Sequence, residues 1–334
     1  MLSKRNAFKF ILGLAVGAVF FYFAVRNVDV DQMREALAKT NYSWILLSTA
    51  VLMLAHALRA VRWRYFLAPV KLVGVGSLLS ALLIGYSANT FMPAHLGEFL
   101  RAMVISRKKN LSASAAFASI VVERIVDVIS LIAVMAVVII VHPFPAWVET
   151  SGLIMLAGAL LLFSILIACK RYETRAAGWV RFVVKPLPLR IGRRLESLFA
   201  NFLAGVMPLK TGAHYAAAAI LSVAIWLCYA GMNYTCLEAF GLATSHHLPW
   251  YVGLVVLVLT TLSVVIPSTP GYVGTYHYLC QVSLVMFGVS ASEALSFAVV
   301  AHLVNVAPVS LAGLICANYE GIAIYRTPDS GHHR

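Results

Sequence analysis

The chain contains repeated runs of about 20 mainly apolar residues, and these runs restrict the folds that it can adopt. A helix of roughly 20 apolar residues spans the hydrocarbon core of a bilayer. Of the 334 residues, 61% are hydrophobic and 12% are charged, which leaves more apolar surface than a soluble domain can bury. No polar block is long enough to hold a separate soluble core. The sequence therefore predicts an all-α polytopic membrane protein with a single transmembrane domain, residues 1–317, and a cytoplasmic tail, residues 318–334.

Six of the runs are predicted to be full membrane spans, at about 8–25, 43–61, 112–141, 151–169, 213–238 and 291–317. The first run follows Lys4, Arg5 and Lys9, as in a signal peptide. Because no A-x-A cleavage site follows it, we expect a retained first helix.

Two further apolar regions, at about 74–105 and 249–289, are interrupted by proline and glycine. The arm after the first break, 98–105, is too short to cross roughly 30 Å of hydrocarbon at about 1.5 Å per residue. We therefore predict a re-entrant helical hairpin in the first region and, by analogy, another in the second, although its arms are nearly long enough to cross.

The basic residues are distributed unevenly between the two sides of the predicted membrane domain. With the N-terminus inside, 22 of the 26 Lys and Arg fall in inner segments, three fall in the outer segment 26–42, and Arg124 remains in the membrane. The positive-inside rule then predicts an inner-membrane protein with both termini in the cytoplasm. The same distribution accounts for the net charge of +13 without a nucleic-acid partner.

Residues 190–206, within the predicted cytoplasmic segment 170–212, place apolar side chains at helical spacing with arginines at the margin. A basic amphipathic helix of this kind binds anionic lipid headgroups at the inner leaflet. An ordinary loop helix packed on the domain is an equally good interpretation. A shorter amphipathic helix is predicted outside, at 29–39.

The two breaks resemble each other, because PAHLG (93–97) and PGYVG (270–274) share the pattern P-x-x-x-G. Each break follows two spans and precedes one, so the halves 1–141 and 151–317, joined by the outer loop 142–150, each cross three times. An odd number of crossings gives the halves opposite orientations. The sequence thus predicts an inverted repeat whose hairpin tips meet near the midplane, an architecture typical of secondary transporters.

A helix that is broken inside the membrane leaves backbone groups without hydrogen-bond partners, and these groups have to be satisfied in another way. Non-helical backbone survives there only where protein or a water-filled cavity satisfies its N–H and C=O groups. Helix ends at such a break also offer amides and dipoles to an anionic group. Two matched breaks favour a binding site over the alternative that proline and glycine only kink packed helices.

The run IVVERIVDV places Glu123, Arg124 and Asp127 near the middle of a predicted span. Charges at this depth need partners or water. At spacings of three and four residues the three side chains can cluster. Two acids against one base leave a surplus carboxylate, for which Arg101 or a histidine is a candidate partner, and a surplus acid suits proton coupling. A closed ion pair of purely structural role is the alternative.

Each half also carries polar residues on its hairpin or on the span behind it. The first has His95, Glu98 and Arg101, of which the last two are expected to pair at the cytoplasmic interface. The second has a histidine after its break and, on the last span, His302 and Asn305. A lone histidine in a span is more often a packing residue than a ligand. The five cysteines lie singly, so neither a disulfide framework nor a zinc site is indicated.

Three ordered groups of residues resemble the motifs of the lysylphosphatidylglycerol synthase transmembrane region, also called the flippase-like domain family. They are Asn89, Pro93, Gly97, Glu98 and Arg101; then Glu123, Arg124 and Asp127; then Pro267, Pro270, Gly271 and Gly274. The resemblance covers essentially the whole chain. It implies an integral membrane protein that moves a lipid or lipid-linked amphiphile between leaflets. Aminoacyl-lipid synthesis is not expected, because no transferase domain follows residue 317, and stand-alone members are thought to handle other amphiphiles, including isoprenoid-derived ones such as hopanoids.

The chain departs from the family pattern at three positions. His95 stands at the usual Arg, Tyr272 at the second Gly and His277 at the usual Glu. If the usual Arg and Glu face each other across the tips, two histidines replace an ion pair here. Such a pair suits a less charged headgroup than an anionic phospholipid, or titrates near neutral pH. Two histidines alone are too few ligands for a metal site.

Three other functions compete with a flippase that binds a headgroup near His95, Arg124 and His277. A secondary transporter of a small polar solute is the main alternative, since inverted repeats serve that class too. A lipid-modifying enzyme using Glu98, Glu123 or His277 has no metal cluster or activated nucleophile to support it, so we expect no enzyme and no cofactor. A scaffold gains nothing from buried charge. The sequence leaves the lipid and the oligomeric state open.

Overall fold

The structure, a computed structural model, describes residues 4–92, 96–142, 146–205, 209, 211–263 and 269–322. These ranges form fourteen α-helices and one 3-10 turn, without a strand. The helices are α1 (Lys4–Val25), α2 (Val30–Ala38), α3 (Tyr42–Leu67), α4 (Val75–Phe91), α5 (Leu96–Lys109), α6 (Ala113–Val141), α7 (Ala146–Arg171), α8 (Glu173–Val184), α9 (Leu189–Gly205), α10 (Gly212–Ala239), α11 (Leu242–Ser245), α12 (Val252–Leu262), α13 (Thr275–Val285) and α14 (Ala291–Tyr319), and the 3-10 turn is Pro270–Tyr272.

Five helices in the described ranges are long and apolar enough to cross a membrane, namely α3, α6, α7, α10 and α14. They correspond to five of the six predicted spans. The sixth, at 8–25, is α1, whose side chains are described from Ala15 onward, so that Ala15–Val25 counts only as a shorter apolar helix. The prediction of an all-α polytopic membrane protein is confirmed.

Both interrupted regions form pairs of short helices. In the first, α4 and α5 have 17 and 14 residues and pack against each other. In the second, α12 and α13 have 11 residues each, or about 16 Å at 1.5 Å per residue. These arms are shorter than the sequence indicated, because α12 ends at Leu262 and α13 begins only at Thr275, and neither helix is long enough to cross.

The two halves repeat one packing pattern. α3 packs on α4 as α10 packs on α12, and α5 packs on α6 as α13 packs on α14. Across the boundary, α4 packs on α14 and α12 packs on α6, while α3 and α10 contact each other directly. An inverted repeat would produce reciprocal pairs of this kind, and the repeat itself stays a prediction. Helix α1 departs from the pattern, because it packs on α13 of the other half.

The two amphipathic segments occupy related positions in this pattern. The segment 29–39 is α2, capped by the side chain of Asp29 and packed on α14. The segment 190–206 is α9, which packs on α6 and on the additional helix α8. Leu203 of α9 is buried, whereas Ile191 and Leu195 remain exposed. Helix α9 is therefore buried at its C-terminal end and carries exposed apolar side chains at its N-terminal end. Its contact with anionic lipid stays a prediction.

Candidate functional site

The first hairpin is held together close to its tip by Asn89 and Gly97. The Asn89 side-chain oxygen accepts a hydrogen bond from the Gly97 backbone N–H at 2.7 Å, which satisfies one of the free amides at the start of α5. A Cβ on Gly97 would overlap both this amide and the carbonyl oxygen of Gly85 on α4. Asn89 and Gly97, which both belong to the predicted motif, therefore set the distance between α4 and α5. Pro93 and His95 lie outside the described residues.

The second tip is a left-handed turn. Gly271 and Gly274 have φ values of +70° and +92°, and Tyr272 between them has φ +59°. This is the region that L-residues other than glycine rarely adopt, which explains the glycine of the family pattern at this position and makes Tyr272 an exception to it. Pro270 begins the 3-10 turn, and Pro267 lies outside the described residues.

Two histidines support this tip. The Nε2 atom of His302 on α14 lies 2.7 Å from the Gly271 carbonyl oxygen. The Nδ1 atom of His277 on α13 accepts a hydrogen bond from the Gly274 backbone N–H at 3.3 Å. The two rings are 4.8 Å apart between centroids. Both imidazoles thus satisfy backbone groups that the break leaves free, and the pairing of His277 with His95 stays a prediction.

Described residues next to the two breaks lie in contact with each other. The C-terminal end of α4 packs on the 3-10 turn of the second hairpin. Next to this contact, Ser310 Oγ on α14 donates to Thr90 Oγ1 on α4 at 3.2 Å. The broken segments of the two halves therefore meet at one place in the interior.

A buried charge cluster lies beside the tips. Arg59 Nη2 on α3 donates to Glu123 Oε1 and to Asp127 Oδ2, each at 2.6 Å. Arg62 Nη2 donates to Asp127 Oδ1 at 2.5 Å, and Arg101 Nη2 donates to Glu123 Oε2 at 2.7 Å. Each carboxylate therefore contacts at least two arginines, an arrangement that offsets the cost of burying its charge.

The structure corrects the expected balance of this cluster. Arg124 Nε lies 2.6 Å from Glu98 Oε1, an ion pair without hydrogen-bond geometry, and Arg124 Nη1 lies 3.4 Å from Asp127 Oδ2. Glu98 therefore pairs with Arg124 and not with Arg101. Among the described residues, four arginines face three carboxylates, so the surplus is a cation. The expected surplus carboxylate was wrong because two arginines of α3 were assigned to an inner loop.

Those two arginines, Arg59 and Arg62, are the functional residues that sequence analysis missed. The predicted span ended at 61, whereas α3 continues to Leu67 and buries both side chains. A helical signal was available, because His56, Arg59 and Arg62 follow each other at intervals of three residues. Arg101, also assigned to an inner segment, is buried with its guanidinium 3.6 Å from the Trp63 ring centroid.

A cavity of about 400 Å³ opens where the tips, the charge cluster and the core helices meet. Helices α3, α4, α5, α6, α10, α12, α13 and α14 and the 3-10 turn all contribute to its wall. Its lining includes apolar side chains and polar ones, among them Tyr86, Thr90, Tyr229, Asn233, Thr260 and Tyr276. The volume is that of a small-molecule or headgroup pocket.

The predicted site residues divide into three groups around this cavity. Those that line it are Asn89, Glu98, Arg124, Gly271, His302 and Asn305. Arg101, Glu123 and Asp127 lie buried behind the lining in the charge cluster. Gly97, Gly274 and His277 pack at the tips, where Gly274 contacts Gly17 of α1.

Within the part of the chain that the structure describes, no group of three His, Cys, Asp or Glu side chains is placed to hold a metal ion. The five cysteines are free.

The fold and the cavity define a polytopic helical membrane protein whose helices enclose a largely apolar chamber with several polar groups on its wall. The chain belongs to the family described as Lysylphosphatidylglycerol synthase TM region, whose model matches residues 10–313. The resemblance found in the motifs is thereby confirmed. Membership points to a membrane function related to lipids.

Similar proteins occur in archaea. A UPF0104 membrane protein of Methanothermobacter thermautotrophicus is 25% identical over 326 residues, covering 93% of this chain and 95% of that protein. The glycosyltransferase AglD of Haloferax volcanii is 23% identical over 131 residues, which are 39% of this chain and 21% of AglD. UPF0104 membrane protein MJ1595 of Methanocaldococcus jannaschii is 23% identical over 132 residues, 38% of each chain. No solved structure matches the chain.

Proposed function

We propose that this protein moves a lipid or lipid-linked amphiphile across the membrane by alternating access around the two hairpin tips. The observation that carries the proposal is the cavity of about 400 Å³, whose wall is shared by both hairpins and by helices of both halves. A pocket of this size holds a headgroup, while acyl or isoprenoid chains remain in the bilayer.

The repeated packing supports rocking as the movement. Because α3 packs on α4 as α10 packs on α12, each half forms a unit of similar construction. Relative rotation of such units exposes a fixed central site first to one side and then to the other. Membership of a family named for a lipid synthase supports a lipid substrate. The proposed substrates include isoprenoid-derived amphiphiles such as hopanoids. The proposed location is the inner membrane, with both termini in the cytoplasm.

The test is lipid translocation in liposomes reconstituted with the purified protein. Fluorescent lipids in the inner leaflet are protected from a membrane-impermeant quencher until they move outward. We expect the native chain to remove this protection and Thr261→Trp, which fills the cavity from α12, to restore it. The matched control is Val223→Trp, because Val223 of α10 is 61% exposed and an indole there points away from the core.

Equal translocation by native protein, both variants and empty liposomes would refute the proposal. Uptake of a small polar solute that depends on a proton gradient and is blocked by Thr261→Trp alone would favour the solute transporter instead. Comparison of lipid extracts before and after incubation tests for an enzyme, because a new chemical species appears only if the protein modifies the lipid.

A further inference from the structure

We propose that the cavity recognises a polar group carrying a single negative charge, a phosphodiester, and holds it against Arg124. This inference rests on the proposed function and narrows its substrate class. The histidines at positions 95 and 277 led us to expect a less charged headgroup. The arginines that the structure brings together indicate an anionic one instead.

The first argument is the charge of the cluster as a whole. In the described residues, Arg59, Arg62, Arg101 and Arg124 face Glu98, Glu123 and Asp127, which leaves one positive charge. The tip residues outside the described ranges, 93–95 and 264–268, contain no Asp or Glu that would neutralise it. An uncompensated charge in the interior of a membrane protein is costly, and a bound anion removes that cost.

The second argument is the position of this surplus charge. The side chains of Arg59, Arg62 and Arg101 are at most 6% exposed, whereas that of Arg124 is 36% exposed. Arg124 lines the cavity, and the other three lie behind its wall. The part of the cluster that an incoming group can reach is therefore Arg124 with its partner Glu98, and the guanidinium of Arg124 is the side chain best suited to phosphate oxygens.

The third argument is a hydroxyl that contacts the cluster and belongs to a residue of the cavity wall. Arg59 Nη1 donates to the Tyr229 hydroxyl oxygen at 3.4 Å, and Tyr229 lines the cavity. With its oxygen engaged as an acceptor, the hydroxyl keeps its proton for a second acceptor. Arg124 and Tyr229 thus provide a charged and a neutral donor on two sides of one chamber.

The charges of the lining residues also disfavour cationic and neutral headgroups. Glu98 is the carboxylate among the described lining residues, and it already pairs with Arg124. A cationic headgroup would meet the surplus positive charge without a free carboxylate to pair with, and a neutral one would leave that charge uncompensated. A phosphodiester carries one negative charge and balances the cluster.

The experiment measures binding to full-length protein in micelles of dodecyl maltoside, which supply no phosphodiester of their own. The probes are dioleoyl phosphatidylglycerol, neutral dioleoylglycerol and the soluble phosphodiester dimethyl phosphate. The variants are Arg124→Gln, which removes the surplus, and Glu98→Gln, which doubles it. Arg64→Gln is the control, because Arg64 is exposed near the end of α3 and does not line the cavity.

We expect Arg124→Gln to weaken binding of phosphatidylglycerol about tenfold or more, since it removes a charged hydrogen-bond donor. Glu98→Gln should strengthen the same binding several-fold, and Arg64→Gln should leave it unchanged. Opposite shifts from two changes in one ion pair distinguish an anion site from mere loss of folding, which would weaken binding in both variants.

Equal weakening in both variants, or equal binding of dioleoylglycerol and phosphatidylglycerol, overturns the inference. Binding of dimethyl phosphate with the same two opposite shifts supports the anion site even if no lipid is translocated, so the site then stands while the proposed function fails. If the protein translocates a neutral lipid and neither Arg124→Gln nor Glu98→Gln changes the rate, the proposed function stands and the anion site is refuted.

Discussion

Arg59 Nη2 and Asp127 Oδ2 lie 2.6 Å apart although their residues are separated by 68 positions in the chain. The pair joins α3 to α6, and the same Asp127 accepts from Arg62 through its other oxygen. Both carboxylate oxygens are therefore used, and Asp127 forms these contacts with α3 beside the one that Glu123 makes with Arg59.

Asp127→Asn should destabilise the protein by about 3–5 kcal/mol, because it leaves two buried guanidinium groups without their shared anion. The measurement is the free energy of unfolding from SDS titration in mixed micelles. Asp31→Asn is the matched control, since Asp31 is exposed on α2 and its loss should cost no more than about 1 kcal/mol. Similar small changes in both variants would contradict a structural role for the Asp127 pairs.

Gly97→Ala should disrupt the first hairpin, because the added methyl group meets the Gly85 carbonyl oxygen and the Asn89 side chain. Gly76→Ala on the same hairpin should instead be neutral or stabilising by up to about 1 kcal/mol, since nothing lies within 4 Å of its Cβ position and alanine is the better helix former. Thermal unfolding of the two variants tests this. A more stable Gly97→Ala protein would show that α4 and α5 are not in close contact.

Tyr272 allows a test of backbone strain at the second tip. Its φ of +59° is tolerated by asparagine and disfavoured by β-branched residues. Tyr272→Asn should therefore be more stable than Tyr272→Val by about 1–2 kcal/mol, although both lose the aromatic ring. The difference between the two unfolding free energies cancels the loss of the ring. Equal stability would place Tyr272 outside the left-handed region.

His302→Leu should loosen the second tip, because the Gly271 carbonyl oxygen loses its partner at 2.7 Å. His302→Gln should retain part of the effect of histidine, since a glutamine amide also donates. Hydrogen exchange of the amides in 271–277 measures the tip directly, and faster exchange is expected for leucine than for glutamine. Identical exchange in native protein and His302→Leu would remove His302 from the support of this turn.

Lys108 of α5 and Glu320 at the end of α14 form an ion pair that links the first hairpin to the last helix. The hydrogen bond from Lys108, followed by that from Ser80, lowers the pKa of the Glu320 carboxyl below its usual 4.5. A depressed acid stabilises the fold above its unfolded pKa and loses that contribution as the pH falls through the lowered value. The stability difference between native protein and Glu320→Gln should thus be fully present at pH 7 and decline as the pH falls below the usual pKa of 4.5 and through the lowered one. A difference that persists at lower pH would contradict this origin.

Local sequence patterns were sufficient to predict most of the long helices and the positions of the two breaks. Runs of apolar residues determine helices wherever water is replaced by lipid, so α3, α6, α7, α10 and α14 were predictable from the sequence. The shared P-x-x-x-G pattern at 93–97 and 270–274 likewise identified the two breaks, because proline and glycine interrupt helices by their own backbone chemistry.

The positions of helix ends and the partners of buried charges were decided only by the tertiary structure. The sequence by itself placed the end of α3 six residues early, at 61, and counted Arg59 and Arg62 with the basic residues of the inner side. It also paired Glu98 with Arg101, its neighbour along the helix, whereas Glu98 contacts Arg124 and Arg101 contacts Glu123. Apolar periodicity and helix breaks act over a few neighbouring residues and can be read locally. The partner of a buried charge depends on which helices pack together, so the sign of the surplus charge at the cavity appears only when α3, α5 and α6 are assembled.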